Sequence, residues 1–444
     1  MASPKLIHDE YERGCALPAD PGSVRYPAPS GHLSSRLPAA ALAAGAVGAL
    51  ASAVNRLLVS RGRDPHTWLL DPERIAASFA ADRVMRIDGD PVSGFAPMSG
   101  FFAASDGWVR THANYPHHRT RLLTALDLPA DADPGMLSVR VGELAAQDVE
   151  DRCAEADAVA ARVRTEEEWA AHPQSLATST GPLVAMTPTD GYTGVTLSVA
   201  DPVHPLAGLR VLDLTRVLAG PVAARALALL GAQVLRVDPP QLHEIDWQHR
   251  DTGQGKRSTL LDLTAAADLD TMRGLIATAD VLVTGYRPGS LDRFELSSDA
   301  PGLVRASVSA WGDRGPWSGR RGFDSIVQAA SGIALVEGGE HPGALPAQVL
   351  DHASGYLLAA GVVDAVTLRC ADRRGRDVSV SLARTARTLL DLPGRLTAPA
   401  ESLDPGPAAG VTHGAITTAR PALPGYPEYP FPAHDWGADA PHWV

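Results

Sequence analysis

Short apolar runs alternate with longer amphipathic stretches from residue 209 onward, and this alternation restricts the fold more than any other feature. Short runs rich in valine and leucine suit strands that are buried on both faces of a parallel sheet. The predicted strands are 209–214, 233–238, 258–263, 280–284 and 303–309, with helices over 222–230 and 265–278. The pattern predicts an α/β domain whose ligands bind at the carboxyl ends of its strands.

Length and composition restrict the class of protein further. A chain of 444 residues is long enough for two or three domains. The net charge of -12 excludes a general nucleic-acid-binding surface, although an anionic ligand needs only a local basic cluster. Cys15, Cys153 and Cys370 lie far apart and form no CxxC pair, so we expect neither a disulfide framework nor a zinc site.

The N-terminal region predicts a cytoplasmic protein that does not bind membranes. No basic segment followed by an apolar run indicates a secretory signal. Residues 37–59 are long enough to cross a bilayer. However, this segment is dominated by alanine and contains Asn55 and Arg56, so we predict a buried helix.

Composition also predicts three parts along the chain. Residues 187–205 are rich in threonine, glycine, aspartate and proline, which is typical of a linker. The C-terminal segment is rich in proline and glycine and predicts an extended arm that packs on a surface. The predicted parts are 1–200, 201–395 and 396–444.

Three pairs of segments occur in the same order in both halves and predict a partial duplication. Residues 37–45 are similar to 353–361, and the Arg-Gly-Arg-Asp sequence of 61–64 returns at 374–377. Residues 181–188 are similar to 414–421.

Six short blocks after residue 205 occur in an order that resembles the class III CoA-transferases, a family that includes formyl-CoA transferase, carnitine CoA-transferase and α-methylacyl-CoA racemase. The blocks are 206–221, 230–240, 255–263, 279–293, 315–316 with 322–324, and 348–355. The resemblance covers about 200–390. It implies a Rossmann-like parallel sheet that binds CoA, together with a smaller α+β domain.

The first half resembles the small domain of the same family over residues 100–110, 118–129 and 164–169. In ordinary members this portion follows the catalytic segment, whereas here it precedes it. We therefore predict a permuted chain in which residues 1–200 are a degenerate copy of the family's C-terminal portion. In that copy, the position that matches the catalytic residue falls near Ser35, so one active aspartate is expected per chain. The family implies a homodimer, and the permutation leaves open whether its chains interlock.

By resemblance, Asp351 stands at the position of the family's catalytic aspartate. Its carboxylate would attack an acyl-CoA to give an aspartyl anhydride and then an aspartyl-CoA thioester, which an acceptor carboxylic acid resolves. Coenzyme A is thus expected as part of a substrate, with no permanently bound cofactor. The helix after Asp351 is expected to offer N–H groups to an oxyanion. The alternative is that Asp351 only caps this helix.

The resemblance also implies a CoA site made of basic residues near the strand ends. Arginine binds phosphate in a bidentate manner, and lysine acts as a point charge. The alternative to CoA binding is that these basic residues are solvated surface charges, above all Arg293. Pro239 replaces a basic residue of some members, so part of the phosphate contact differs. The candidate CoA-binding residues are Arg216, Lys256, Arg257, Tyr286, Arg287 and Arg293.

Two other chemistries fit the sequence less well. Racemisation needs an acid/base pair, and Phe323 occupies the position where the racemase branch has a histidine. His352 is adjacent to Asp351 but is expected to point away from it, and the His117–His118 pair is expected at the surface. No GxGxxG sequence indicates a dinucleotide site. We therefore predict a class III CoA-transferase that acts on an acyl-CoA and a carboxylic acid, with an acyl-CoA-binding paralogue or partner subunit without activity as the alternative.

Overall fold

The computed structural model describes residues 2–28, 30–193, 201–287, 289–296 and 300–444. Within these residues the protein is a mixed α/β structure with one large, mostly parallel sheet and three smaller sheets. Residues 194–200 of the predicted linker lie outside the described part of the chain.

Six parallel strands and one antiparallel edge strand form the large sheet. From edge to edge they are Lys256–Leu260, Gln233–Asp238, Arg210–Asp213, Val281–Thr284, Val304–Ser309, Arg376–Ser381 and the antiparallel Ala185–Pro188. All five predicted strands are present, but the third begins at Lys256 instead of residue 258. The strand order reverses between Arg210–Asp213 and Val281–Thr284, which is where a ligand crevice is expected.

Alternate side chains of the central strands enter two different cores, which confirms the prediction of a sheet covered on both faces. Val211 and Val281 belong to the main core, while Leu212 and Leu282 pack into a second core on the other face. The helix Ala266–Thr278 contributes to the second core. Helices on the main-core side include Ala39–Ser60, Ala219–Leu229 and Val349–Asp372.

Two long helices, Ala39–Ser60 and Val349–Asp372, pack against each other in this core. Both are long and apolar enough to cross a membrane, but 89% and 100% of their most apolar stretches are buried within the protein. The buried helix predicted over 37–59 is therefore confirmed. These helices contain one of the pairs of segments that the sequence repeat relates, although the duplication itself stays a prediction.

A buried ion pair joins the two long helices. Arg56 donates from Nε to Oδ1 of Asp364 over 2.8 Å and from Nη2 to Oδ2 over 2.7 Å. Tyr11 donates its hydroxyl to the same carboxylate over 2.6 Å, and Arg56 also reaches Glu12. Burial alone raises the pKa of Glu12, but hydrogen bonds to His8 and Ser52 and the charge of Arg56 bring this pKa down to about 2. A charge buried in an apolar contact needs such partners.

A smaller α+β unit, residues 98–164, has a hydrophobic core of its own. Its three antiparallel strands are Phe101–Ala104, Gly107–Thr111 and Ala160–Arg162. Its helices are Pro116–Ala125, Pro134–Gly142 and Ala146–Glu155. The sheet of this small unit packs against the helix Asp324–Ala330, which follows the large sheet's fifth strand in sequence.

The remaining described elements are short. The helices are Lys5–Gly14, Pro72–Phe79, Ala81–Val84, Glu166–Ala170, Pro173–Thr178, Asp246–Thr252, Ile333–Gly338 and Leu382–Asp391, with single 3-10 turns at Asp292–Phe294 and Pro407–Ala409. Ser23–Arg25 pairs in parallel with Thr67–Leu69. A four-stranded antiparallel sheet contains Gly410–His413, Ile416–Ala419, Arg86–Ile87 and Asp90–Pro91.

The C-terminal segment from residue 396 runs across the other parts of the fold. Arg74 donates to the carbonyl oxygen of Pro421 over 2.6 Å, and Tyr426 donates its hydroxyl to the carbonyl of Val203 over 2.7 Å. The segment is not extended throughout, because it contributes the hairpin of residues 410–419 to the four-stranded sheet. The division into parts 1–200, 201–395 and 396–444 stays a prediction.

We predict that Asp364→Ala lowers the free energy of unfolding by about 3–5 kcal/mol, because it leaves the buried charge of Arg56 without its main partner. The exposed pair of Arg387 and Asp391 on the helix Leu382–Asp391 supplies the control. Asp391→Ala should cost about 1 kcal/mol or less. Urea unfolding of both variants measures the difference, and equal losses would show that the buried pair does not hold the helices together.

Candidate active site

A cavity of about 530 Å³ opens at the carboxyl ends of the parallel strands. Leu214 and Gly285 line it, and they follow the two adjacent strands between which the strand order reverses, Arg210–Asp213 and Val281–Thr284. The opposite wall comes from the small unit, through Tyr115, His117 and His118. The cavity therefore lies between the large sheet and the small unit, which is a common position for a ligand site in α/β proteins.

Five arginines line this cavity, which gives it a strongly positive wall in a chain of net charge -12. Three of them were candidates from the sequence, and Tyr286, a fourth candidate, lies among them. The other two arginines come from a loop that the sequence analysis did not single out. The five are Arg216, Arg287, Arg293, Arg320 and Arg321.

Arg216 belongs to a contact that fixes the small unit against the sheet. Its Nη2 donates to the carbonyl of His243 over 2.8 Å, and its guanidinium lies 5.4 Å from the centre of the Tyr115 ring. Tyr115 in turn donates its hydroxyl to the buried carboxylate of Glu244. Burial alone raises the pKa of Glu244, but the charges of Arg236 and Arg216 bring this pKa down to about 2. Glu244 is thus an ionised anchor for both parts of the site.

A second anchor lies where Asp157 of the small unit meets three arginines. Arg287 donates to its Oδ1 over 3.0 Å, and Arg321 and Arg121 donate to its Oδ2 over 2.9 and 2.8 Å. Burial alone raises the pKa of Asp157, but the bond to Arg321 and the charges of all three arginines lower it overall. Arg293 has a different contact, with its guanidinium 4.5 Å from the ring centre of Phe294.

Lys256 and Arg257 do not reach the cavity. Lys256 is buried, and its Nζ lies 2.8 Å from both Oδ2 of Asp213 and the carbonyl oxygen of Pro221. Burial lowers its pKa to about 8. Arg257 instead binds Asp439 of the C-terminal segment. Both residues lie at the amino end of the strand Lys256–Leu260, whereas the cavity opens at the carboxyl ends. The structure thus gives these two candidates structural contacts in place of a ligand contact.

Asp351 is the third residue of the helix Val349–Asp372. The alternative that Asp351 only caps this helix is wrong, because the cap position is Gln348, which makes no side-chain bond there. Asp351 is 6% exposed. No described residue donates a hydrogen bond to its carboxylate, and it does not line the arginine-rich cavity. A buried carboxylate without a donor is costly for folding, which favours a chemical role.

The carboxylate of Asp324 occupies the N-terminus of the same helix. Its Oδ2 accepts the backbone N–H of Asp351 over 2.9 Å, it also accepts the N–H of Leu350, and Gln328 donates to its other oxygen. The helix is therefore capped from a separate segment, which satisfies N–H groups at its first turn. The expectation that these N–H groups are available to an oxyanion is not supported, because Asp324 already uses them.

Burial raises the proton affinity of both carboxylates, and the charge of Asp324 raises that of Asp351 further. Burial and the charge of Asp324 raise the pKa of Asp351 above its usual range. Burial also raises the pKa of Asp324, to about 6, against the bonds from the helix and the charge of Arg110. A carboxylate of raised pKa is more basic and hence more nucleophilic once it is ionised.

Two histidines of the small unit pack against Phe323, the residue that precedes Asp324 in the chain. The ring of His112 stacks on Phe323, with the two centres 3.8 Å apart, and His118 meets the same phenyl ring edge-on at 5.4 Å. Burial lowers the pKa of His112 to about 3 and that of His118 to about 2. The surface assignment is wrong for His118, which is 3% exposed. His352 packs against Phe79.

Comparison with known proteins shows where the resemblance lies. Residues 206–416 match the sequence model of CoA-transferase family III. The acetyl-coenzyme A transferase nodX of Hypoxylon pulicicidum is 35% identical over 41% of this chain and 33% of its own length. The probable fatty acyl-CoA transferase Rv3272 of Mycobacterium tuberculosis is 33% identical over 39% of this chain and 49% of its own. A crystal structure of Rv3272 covers 42% of this chain and 56% of that chain, with 33% identity and a TM-score of 0.39.

These matches confirm the resemblance drawn from the sequence, because residues 206–416 match the model of CoA-transferase family III and the similar relatives are named as CoA-transferases. The chain spans about a third to a half of the length of the first curated relatives it matches. Asp351, Asp324 and the five cavity arginines all lie within the matched region.

We predict that Asp351→Asn makes the protein more stable at pH 8 by about 1–3 kcal/mol, because it removes a buried carboxylate that no donor satisfies. Since the folded-state pKa values of Asp351 and Asp324 are raised, the stabilising effect of their protonated forms is fully present below about pH 4. It is lost as the pH rises through the folded values, about 6 for Asp324. The free energy of unfolding, measured from pH 4 to 8, should therefore fall less in Asp351→Asn than in wild type.

The matched control for this series is Asp127→Asn, which changes a 71%-exposed carboxylate of the small unit. Its stability should follow the wild-type curve at every pH. If Asp351→Asn also followed that curve, the carboxyl of Asp351 would not have a raised pKa.

Proposed function

We propose that this protein transfers CoA from an acyl-CoA thioester to a carboxylic acid, with Asp351 as the covalent catalyst. The observation that carries the proposal is the carboxylate of Asp351, which is buried and free of hydrogen-bond donors among the described residues. It lies at the start of a helix in the region that matches CoA-transferase family III. Relatives named as CoA-transferases support the same reaction class.

The arginine-rich cavity is the proposed site for the nucleotide part of CoA. Its wall offers bidentate donors for phosphate groups, from Arg216, Arg287 and Arg293 among others. The cavity lies where the strand order of the large sheet reverses. In a doubly wound, Rossmann-like sheet, this is where a nucleotide is expected to bind. CoA is bound there as part of a substrate, with no permanent cofactor assigned.

The proposed chemistry begins when an oxygen of Asp351 attacks the thioester carbonyl. The carbon–sulfur bond breaks, CoA leaves as a thiolate, and a mixed anhydride forms on Asp351. The thiolate then attacks the aspartyl carbonyl, which releases the donor acid as a carboxylate and leaves an aspartyl-CoA thioester. The acceptor carboxylate expels the thiolate to form a second anhydride. Attack of the thiolate on the acceptor acyl carbon gives the new acyl-CoA and restores the Asp351 carboxylate.

Asp324 would serve as a positioning residue in this scheme. Its hydrogen bond to the backbone of Asp351 fixes the first turn of the helix, and its charge keeps the nucleophile basic. Holding the nucleophile in place makes the attack on a bound thioester effectively unimolecular. Phe323, which lines the cavity, has no proton to exchange, so nothing at this position favours racemisation.

One chain supplies both walls of the proposed site. Tyr115, His117 and His118 come from the small unit of the first half, and the arginines come from the second half. This arrangement supports a permuted chain whose site is complete without a residue from a partner. A homodimer and a cytoplasmic location stay predictions.

The alternative is a protein that binds acyl-CoA without transferring it. One observation favours it: Asp351 does not line the cavity in this structure, so a thioester there would need a path to the carboxylate. Detection of a covalent intermediate separates the two possibilities.

We predict that incubation with acyl-CoAs gives an adduct on Asp351 that is visible by intact-protein mass spectrometry and is removed by hydroxylamine. Asp351→Asn should give no adduct and no transfer, because an amide does not attack a thioester. Asp127→Asn should keep the full adduct, since that residue is exposed and lies outside the site. A panel of acetyl-, succinyl- and long-chain acyl-CoAs would identify the donor. Tight CoA binding without an adduct in wild type would favour the alternative.

We also predict that Arg293→Ala raises the Kd for CoA about ten- to a hundredfold, the range expected for loss of a charged hydrogen bond to phosphate. Arg257→Ala is the matched control, because Arg257 lies at the amino end of a strand, away from the cavity, and binds the C-terminal segment. Its Kd should stay within about twofold of wild type. Isothermal titration with CoA measures both, and a weaker complex for Arg257→Ala alone would place the nucleotide elsewhere.

A further inference from the structure

Arg110 is a buried arginine that lacks an ionic partner among the described residues. It is 9% exposed, and its Nε is sealed from solvent without a hydrogen-bond acceptor. No described residue forms a hydrogen bond or ion pair with its guanidinium. Its neighbours are instead the rings of Phe95 and Phe101, whose centres lie 5.0 and 4.8 Å from the guanidinium carbon.

The position of Arg110 relates it to the candidate catalytic residues. It lies on the strand Gly107–Thr111 of the small unit, which packs against the helix Asp324–Ala330. His112, two residues further along the chain, stacks on Phe323. Arg110 is close enough to Asp324 for its charge to oppose the rise in the pKa of that carboxyl group. Asp324 in turn holds the backbone of Asp351.

A buried, unpaired guanidinium is unfavourable in the absence of a ligand. Burial lowers the pKa of Arg110 to about 10, even though the charge of Asp324 opposes this effect. The other buried arginines of this protein, such as Arg56, Arg164 and Arg225, each have a carboxylate within 2.7 Å. Arg110 therefore differs from these three in having no carboxylate partner among the described residues.

We propose that Arg110 binds a carboxylate of the acid substrate, so that the substrate class is a dicarboxylic acid or its CoA monothioester. This inference rests on the proposed function, in which one carboxyl group of the acid reacts at Asp351. The second carboxylate then pairs with the guanidinium of Arg110. The two phenyl rings offer an apolar wall for the methylene groups between them.

A carboxylate fits this position better than a phosphate of CoA. A single planar guanidinium makes two parallel hydrogen bonds to one carboxylate, while the cavity lined by five arginines suits the phosphates. The nearby carboxylates of Asp324 and Asp351 would repel a multiply charged phosphate more strongly than a singly charged carboxylate.

The test compares succinate with butyrate, which has the same number of carbons but one carboxylate fewer. Isothermal titration of wild type should show succinate binding at least tenfold more tightly, and Arg110→Gln should abolish this preference while butyrate binding stays within about threefold. Arg110→Lys, which keeps the charge but loses the bidentate geometry, should retain part of it. Arg162→Gln is the matched control and should keep the full preference, because Arg162 lies on the adjacent strand and pairs with Glu168.

Two outcomes would overturn the proposal: equal binding of the two acids by wild type, or a full preference in Arg110→Gln. If Arg110→Gln does not fold, Arg110→Lys and the wild-type comparison decide, because a preference undiminished in the lysine variant also contradicts a bidentate site. The adduct that acetyl-CoA leaves on Asp351 is measured in parallel. An adduct without a preference for succinate refutes the carboxylate site alone, whereas a preference without an adduct refutes the covalent function alone.

Discussion

The carboxylate of Asp324 at the start of the helix Val349–Asp372 is the interaction on which the candidate site depends. It satisfies the N–H groups of Leu350 and Asp351, which places the side chain of Asp351 in the first turn without giving it a hydrogen bond. The same negative charge raises the pKa of Asp351. One group thus fixes the position of the nucleophile and increases its basicity, and both effects follow from burying two carboxylates together.

The small unit is fixed against this helix by contacts of different kinds. Tyr115 reaches the ionised Glu244, Asp157 meets arginines of the loops beyond the sheet, and His112 stacks on Phe323. Because the contacts are ionic, hydrogen-bonded and aromatic, they fix the orientation of the small unit as well as its distance. The cavity therefore has defined walls before a ligand binds, which lowers the entropy cost of binding.

The sequence predicted the large sheet well because its strands are buried on both faces and consequently consist of continuous apolar runs. It predicted the arginines at the strand ends for the same reason, since the end of a run fixes the position of Arg216 and Arg287. Lys256 and Arg257 were misplaced because polar residues begin that strand, so the apolar run starts later than the strand does. Asp324 and Arg110 could not be assigned their contacts, because those contacts join segments far apart in the chain.

The two long helices show why a single nucleophile is expected. Each begins without a side-chain cap of its own and has a carboxylate from a separate segment near its start. Glu337 accepts the N–H groups of Arg36 and Leu37 just before the helix Ala39–Ser60, as Asp324 does for the other helix. Ser35 lies near the position that the sequence matched to Asp351, and its hydroxyl donates a hydrogen bond to the carbonyl of Leu37. The capping arrangement is therefore similar at both helices, but only the second one carries an acid that can react.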